Sequence, residues 1–87
     1  MYTKEAKGNV NGEVIDNKGQ PVSDAAVMIT NGPNHYDIAA LTDAEGHFSF
    51  NNLSPGSYIF KIKSARSSKT VDLVVNPAET KKVTIIL

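Results

Sequence analysis

Apolar residues alternate with polar ones along most of the chain, and Gly, Pro, Asn and Asp interrupt the alternation at short intervals. A period of two is typical of a β-strand with one buried face, and no window shows the longer period of a helix. The pattern predicts seven short strands. Their inward faces carry Val10, Gly12 and Val14; Ala25, Val27 and Ile29; Ile38, Ala40 and Thr42; Phe48 and Phe50; Tyr58, Phe60 and Ile62; Val71, Leu73 and Val75; and Val83, Ile85 and Leu87.

Tight turns are predicted between these strands, most clearly at residues 16–19 and 43–46. Each begins with Asp, whose side chain can bond its own backbone, and finishes with Gly, which accepts a positive φ. Turn signals about every 8–12 residues favour two packed antiparallel sheets. We therefore predict an all-β protein, a seven-stranded antiparallel Greek-key β-sandwich.

Length and composition indicate the number of domains and exclude several kinds of partner and site. The chain has 87 residues, 9 basic and 9 acidic side chains and no cysteine. This length fits one domain, and we predict a polar N-terminal extension over residues 1–7 followed by the domain over 8–87. The charge balance argues against nucleic acid as a partner. The lack of an apolar run of about 18 residues argues against membrane insertion, and the lack of cysteine excludes disulfides and thiolate metal sites.

Three motifs specify the family. They are GEVIDNKGQPVSDAAV at residues 12–27, TDAEGHFSF at 42–50 and LSPGSY at 53–58. In this order the motifs resemble the carboxypeptidase regulatory-like domain, and the resemblance covers residues 8–87. It implies a prealbumin-like (transthyretin-like) sandwich without catalytic activity or cofactor, attached to larger bacterial secreted, surface or secretion-system proteins. An extracytoplasmic location follows from the resemblance only.

Catalytic and metal-binding residues are not predicted. His35 and His47 fall at opposite ends of the predicted sandwich, Arg66 is the only arginine, and no His-Glu-x-x-His occurs. Asp43 and Glu45 could contribute oxygens to calcium, but carboxylates just before a glycine are more often turn formers. A Lys–Asn cross-link is not expected, because the last strand contains neither Asn nor Asp. We expect no enzyme, no metal site and no cofactor.

Loops at 31–37, 51–57 and 76–80 should meet at one end of the sandwich, because each follows an even-numbered strand. Amide side chains near an aromatic ring are what a sugar-binding surface uses, by hydrogen bonding and stacking. This end therefore supplies the candidate ligand residues. The alternative is that these amides are ordinary turn formers. The candidates are Asn34, His35, Tyr36, Asn51 and Asn52.

Several apolar residues have the outward phase of their strands, which is more than solubility favours. Leu41 and Val74 are two of them, and the candidate docking face consists of Ile15, Met28, Ile59 and Ile86. We predict a structural or adhesive accessory module that spaces and docks neighbouring domains of the same polypeptide or assembly. The alternatives are a carbohydrate-binding module that uses the end loops, or a tip or connector domain of a secretion spike or outer-membrane receptor.

Overall fold

The computed structural model describes residues 6–33 and 39–87 of the chain. Ile38, which the alternation assigns to an inward face, lies outside these ranges. Each strand follows one of the apolar alternations, because an extended backbone places every second side chain on the same face. The strands are β1 (Gly8–Ile15), β2 (Ala26–Asn31), β3 (Ala40–Leu41), β4 (His47–Leu53), β5 (Gly56–Lys63), β6 (Ser68–Val75) and β7 (Thr80–Ile86).

The strands form two sheets. The three-stranded sheet has the order β4-β1-β7, and the four-stranded sheet has the order β3-β2-β5-β6. The inward faces of both sheets contribute to one buried cluster. The fold is an all-β sandwich of seven strands, as the sequence predicts, and the strand order is compatible with the predicted Greek-key connections.

One strand pair is parallel. β1 and β7 run in the same direction, in register from Asn9 opposite Thr80 to Ile15 opposite Ile86. The other pairs among the described strands are antiparallel, as predicted. Alternation of apolar residues fixes which face of a strand is buried but not the direction in which the strand runs. The parallel pair is therefore a feature that the sequence pattern does not contain.

Side chains predicted to point inward build the core. Full burial of a large apolar side chain contributes about 1.5–3 kcal/mol. Val71 and Leu73 of β6 and Val83 of β7, which lie on edge strands, are only partly buried. The buried core consists of Val10, Val14, Ala25, Val27, Ile29, Phe48, Phe50, Leu53, Tyr58, Phe60, Ile62, Val75 and Ile85.

A bulge in β4 changes which residues face the core. Phe50 and Leu53 pair with β1 residues that are only two positions apart, so one extra residue of β4 is accommodated between them. Asn52 has a φ of 60°, and its backbone N–H donates to Oδ1 of Asn9 at 3.1 Å. Simple alternation from Phe50 would turn Leu53 outward, whereas the bulge brings it inward, where it is fully buried.

Gly12 allows an aromatic ring to lie across the middle of β1. Gly12 is buried and pairs with Phe48 on β4. A Cβ built on Gly12 would overlap the ring of Phe48, so any larger residue would displace that ring. Phe48 in turn makes an edge contact with Phe50, with 6.2 Å between the ring centroids. The missing side chain at this position is therefore part of the core packing.

Thr42 is a buried polar side chain that connects two segments. Its Oγ1 accepts the backbone N–H of Ala25 at 2.9 Å and donates to the carbonyl oxygen of Val22 at 2.7 Å. Thr42 is 2% exposed, and a buried hydroxyl without partners would be costly. The two bonds satisfy the hydroxyl and attach the segment before β2 to the segment after β3.

The turns at residues 16–20 and 43–47 have the same structure. Oδ1 of the first aspartate accepts the backbone N–H groups two and four residues later, at 2.8 and 2.9 Å in the first turn and 2.9 and 2.9 Å in the second. The fourth residue of each turn is a glycine, Gly19 with a φ of 82° and Gly46 with a φ of 79°. These turns confirm the roles that the sequence assigns to Asp and Gly.

Backbone hydrogen bonds in these turns lower the pKa of both aspartates. The N–H of Gln20, and then that of Lys18, hold the pKa of Asp16 below its ordinary value of 3.8. The N–H of His47 has the largest effect on Asp43 and likewise lowers the pKa of that carboxyl. Each N–H group stabilises the charged form of the carboxylate, so both turns are strongest when the aspartates are ionised.

The two turn glycines differ in their surroundings, which gives a direct test. Gly19→Ala should destabilise the fold by about 1–2 kcal/mol, because only the positive φ opposes a side chain there. Gly46→Ala should cost about 2–5 kcal/mol, because a Cβ would also overlap the carbonyl oxygen of Val14. Urea unfolding of both variants measures the difference. Equal losses would contradict the close approach of Val14 and Gly46.

The aspartate turns predict a dependence of stability on pH. The native pKa is depressed, so the stabilisation is present above the unfolded value of 3.8 and is lost as the pH falls through the lowered native pKa. Asp16→Asn with Asp43→Asn keeps an acceptor oxygen but removes the charge. We expect this variant to unfold at lower urea concentration than wild type at neutral pH and to approach wild type in acid.

Asp72→Asn is the matched control, because it removes an exposed carboxylate from the middle of a strand and leaves both turns intact. Urea midpoints are measured for the three proteins from neutral pH to below pH 3.8. If the gap between wild type and the double variant stays constant over that range, the ionised aspartates do not stabilise the turns.

Candidate functional site

The connections after β2, β4 and β6 meet at the end of the sandwich where β1 begins. The backbone N–H of Asn9 donates to the carbonyl oxygen of Glu79 at 2.8 Å. Nζ of Lys7 donates to Oγ of Ser54 at 2.9 Å. The structure thus brings together the described parts of the predicted loops. We name this region the loop end, and it comprises residues 31–33, 52–56 and 76–79.

Tyr58 contacts two of the segments that form the loop end. Its side chain is buried in the core, and its hydroxyl donates to the carbonyl oxygen of Ser54. The ring lies directly against Gly32, where a Cβ would overlap it. One aromatic side chain therefore contacts Gly32, where the connection after β2 begins, and Ser54 in the connection after β4.

Amide side chains at the loop end take part in internal hydrogen bonds. Nδ2 and the backbone N–H of Asn76 donate to Oε1 of Glu79, at 3.0 and 3.2 Å. The amide oxygen of Asn9 accepts the backbone N–H of the β4 bulge. These bonds stabilise the turn before β7 and the bulge, which is the ordinary role of asparagine in turns.

The candidate ligand residues are divided by the structure. Asn51 and Asn52 lie within β4, at its bulge, instead of in a connecting loop as the sequence suggests, because the strand continues to Leu53. Both are exposed. Asn34, His35 and Tyr36 lie outside the described residues, so the grouping of the five as one ligand surface stays a prediction.

Acidic residues cluster at the opposite end, in the two aspartate turns. Oδ1 of Asp16 and Oδ1 of Asp43 are both occupied by backbone N–H groups of their own turns. Within residues 6–33 and 39–87, no group of three or more His, Asp or Glu side chains is placed to hold a metal ion. The carboxylates of Asp16 and Asp43 therefore bond the backbone of their own turns.

Polar residues cover most of the outer face of the three-stranded sheet, with Ile15 and Ile86 as the exceptions at its far end. Nε2 of His47 on β4 lies 3.8 Å from Oε2 of Glu13 on β1, and both side chains are well exposed. Asn11 and Lys82 lie beside them on β1 and β7. An exposed pair of this kind contributes between about 0 and 1 kcal/mol. This face is therefore an exposed and largely polar surface.

The outer face of the four-stranded sheet carries a diagonal apolar stripe. Each stripe residue lies two positions along its strand from the residue that pairs directly with its neighbour in the stripe. Successive stripe residues are therefore diagonal neighbours, close enough for their side chains to touch. The two ends of the stripe are 63% and 50% exposed. The stripe consists of Leu41 on β3, Met28 on β2, Ile59 on β5 and Val74 on β6.

Charged residues border the stripe along one side. Lys61 pairs directly with Met28, and Lys63 follows two positions along β5. Asp72 on β6 pairs directly with Ile59. An apolar line with two lysines and an aspartate along one side has the composition of a small docking surface, with an apolar centre and a polar rim.

The predicted docking face does not form one surface. Met28 and Ile59 belong to the stripe, whereas Ile15 and Ile86 pair with each other on the other sheet, at the far end of β1 and β7. Alternation shows that a residue points outward but not which sheet carries it. Leu41 and Val74 have the same outward phase, and strand pairing alone reveals that they complete the stripe.

No helix in the described part of the chain is long and apolar enough to cross a membrane. Comparison with curated protein sequences found no match. Among solved structures, the Bacillus anthracis TIE protein is similar at 17% identity and a TM-score of 0.78, over 93% of this chain and 16% of that chain. GBS52, a minor pilin of Streptococcus agalactiae, is similar at 17% identity and a TM-score of 0.77, over 94% of this chain and 44% of that one.

An enzyme domain shares the fold as well. The dioxygenase domain of a dioxygenase carbohydrate-binding protein fusion from Streptomyces sp. SirexAA-E is similar at 16% identity and a TM-score of 0.68, over 98% of this chain and 81% of that one. At such identities the likeness shows the fold alone. The chain spans less than half the length of the first two structures.

The family follows from the sequence itself. The model of the carboxypeptidase regulatory-like domain matches residues 9–87, which include all three motifs and every described strand apart from the first residue of β1. The fold agrees with that match, because both aspartate turns have the hydrogen bonds that the sequence predicts. The hydroxyl of Tyr58 also bonds the carbonyl oxygen of Ser54 within the third motif. The chain belongs to the carboxypeptidase regulatory-like domain family.

Proposed function

We propose that this domain is a non-catalytic module of a larger, extracytoplasmic bacterial protein, in which it spaces neighbouring domains and docks against one of them. The observation that carries the proposal is the parallel pairing of β1 with β7. Parallel strands that pair along their whole length begin at one end of the sandwich and finish at the other. Neighbours joined before β1 and after β7 would therefore be held apart by the length of the module.

Rigidity supports a spacing role. β1 has eight residues, which at about 3.3 Å per residue separate the two attachment points by about 26 Å. The core packs along β1, and the Tyr58 hydroxyl bonds Ser54 at the loop end, which supports a constant distance. A flexible segment with the same number of residues as 8–87 would instead have an end-to-end distance of about 50 Å with a broad distribution.

Docking would use the diagonal stripe. The stripe crosses all four strands of its sheet, so it lies along one broad side of the module instead of at an attachment point. We propose the adjoining domain of the same polypeptide as its occupant, because the chain spans only part of the proteins that it matches. Such a contact would fix the orientation of the neighbour as well as its distance.

Carbohydrate binding at the loop end is the alternative from the sequence. The internal bonds of Asn9 and Asn76 favour a structural role for these amides. Titration of the domain with soluble polysaccharides, compared with a Tyr36→Ala variant, separates the two functions. Saturable binding that the variant abolishes would show carbohydrate recognition and contradict docking as the function. The third possibility, a tip or connector domain, depends on whether the module lies at the end or in the middle of its parent polypeptide.

Replacement of the domain tests spacing. In the parent polypeptide, residues 8–87 are exchanged for a Gly/Ser segment of the same length, and the distance between labels on the flanking domains is measured by electron spin resonance. We expect one narrow distribution with the native module and a broad, longer one with the flexible segment. Equally broad distributions in both proteins would refute a spacing role.

Lysine substitutions test docking. Val74→Lys, within the stripe, and Ile86→Lys, on the other sheet, change residues that are 50% and 51% exposed. Each should alter stability by less than about 0.5 kcal/mol. In a calorimetric titration with the adjoining domain as a separate chain, Val74→Lys should weaken binding by about tenfold or more, which is about 1.4 kcal/mol. Loss of binding with Ile86→Lys instead would show that the stripe is not the docking surface.

A further inference from the structure

β1 and β7 have the geometry in which a sheet resists stretching. They pair in register over seven positions, from Asn9 opposite Thr80 to Ile15 opposite Ile86. Because they are parallel, tension applied before β1 and after β7 pulls the two strands in opposite directions along their own axes. The strands can separate only by sliding past each other, so the ladder hydrogen bonds between them are loaded together.

Hydrogen bonds close this ladder at both ends. The backbone N–H of Asn9 donates to the carbonyl oxygen of Glu79 at 2.8 Å, just before β7 begins. The backbone N–H of Leu87 donates to the carbonyl oxygen of Ile15 at 2.9 Å, just after β7 finishes. Bonds of a parallel ladder are evenly spaced between these limits, so neither end of the pair is left to open first.

Side chains and a neighbouring strand anchor both partners. β1 is the central strand of its sheet, bonded to β4 on its other side, and Val10 and Val14 have no exposed surface. On β7, Ile85 is 4% exposed. Nζ of Lys69 on β6 donates to the carbonyl oxygen of Ile86 at 3.1 Å. Sliding of β7 would therefore also expose apolar surface and break a contact with the other sheet.

We infer that this module transmits tension between the domains on either side and that the parallel β1–β7 ladder resists this tension. The inference rests on the proposed spacing function, since only a module joined at both ends carries tension. It adds that the resistance depends on direction: it is high along the strands and low across them, where bonds would break one after another.

Single-molecule force measurements test the inference on the whole domain. The chain has no cysteine, so two introduced cysteines define the points of pulling. The end-to-end geometry uses Ala6→Cys and a cysteine added after Leu87. The control geometry uses Asn51→Cys and Thr80→Cys, exposed positions on β4 and β7 at one end of the same sheet. In the control, β7 is pulled away from β1 sideways.

We expect the end-to-end geometry to unfold at several-fold higher force than the control at the same pulling rate, since unfolding under force is governed by the barrier to unfolding. Equal or lower force end to end would overturn the inference. That result would leave the spacing proposal standing, because the label distances measured in the parent polypeptide do not depend on mechanical strength.

Adjacent lysines on β7 provide a second comparison. The two bonds that close the ladder direct the N–H groups of odd-numbered β7 residues to β1, so Lys81 donates within the ladder and Lys82 faces the free edge. Lys81→Pro should lower the end-to-end unfolding force, whereas Lys82→Pro should leave it close to wild type, because proline is tolerated where the N–H faces away from the ladder. Similar losses in both variants would contradict a clamp formed by this ladder.

Discussion

The position of β1 between two partners is the constraint on which the rest of the structure depends. Its even-numbered residues bond toward β4 and its odd-numbered residues toward β7, so no backbone edge of this strand is free. The same even-numbered side chains point into the core, where Gly12 leaves room for the Phe48 ring. A change in the register of β1 would turn Val10 and Val14 to solvent and misalign both neighbours at once.

Much of this fold could be predicted from the sequence, because hydrogen bonds between residues close together in the chain determine its turns. Asp followed three residues later by Gly produces the same hydrogen bonds at Asp16 and Asp43, even though the two turns connect different strands. The side chains that face the core could be predicted for the same reason, since the alternation that reveals them lies within a single strand. Tyr58 belongs to this class as well, because its acceptor is only four residues away along the chain.

Features that depend on pairing between distant strands could not be predicted in this way. The parallel direction of β7 leaves no mark on its alternation. The sequence does not predict the β4 bulge, because Asn51 and Asn52 have the composition of a turn. The acceptor of the Asn52 backbone N–H is Asn9, which is far away along the chain. The candidate docking residues split for a related reason: Ile15 and Met28 share an outward phase but belong to different sheets.

The two ends and the two faces of the sandwich have different chemistry, and this difference supports the proposed connecting role. The end with Asp16 and Asp43 commits its carboxylates to the backbone, and the loop end commits Asn76 and Tyr58 to internal bonds. Hydrogen bonds of this kind hold the geometry of both ends. The apolar stripe along one face is suited to contact, and the parallel strand pair that joins one end to the other is suited to the transmission of force.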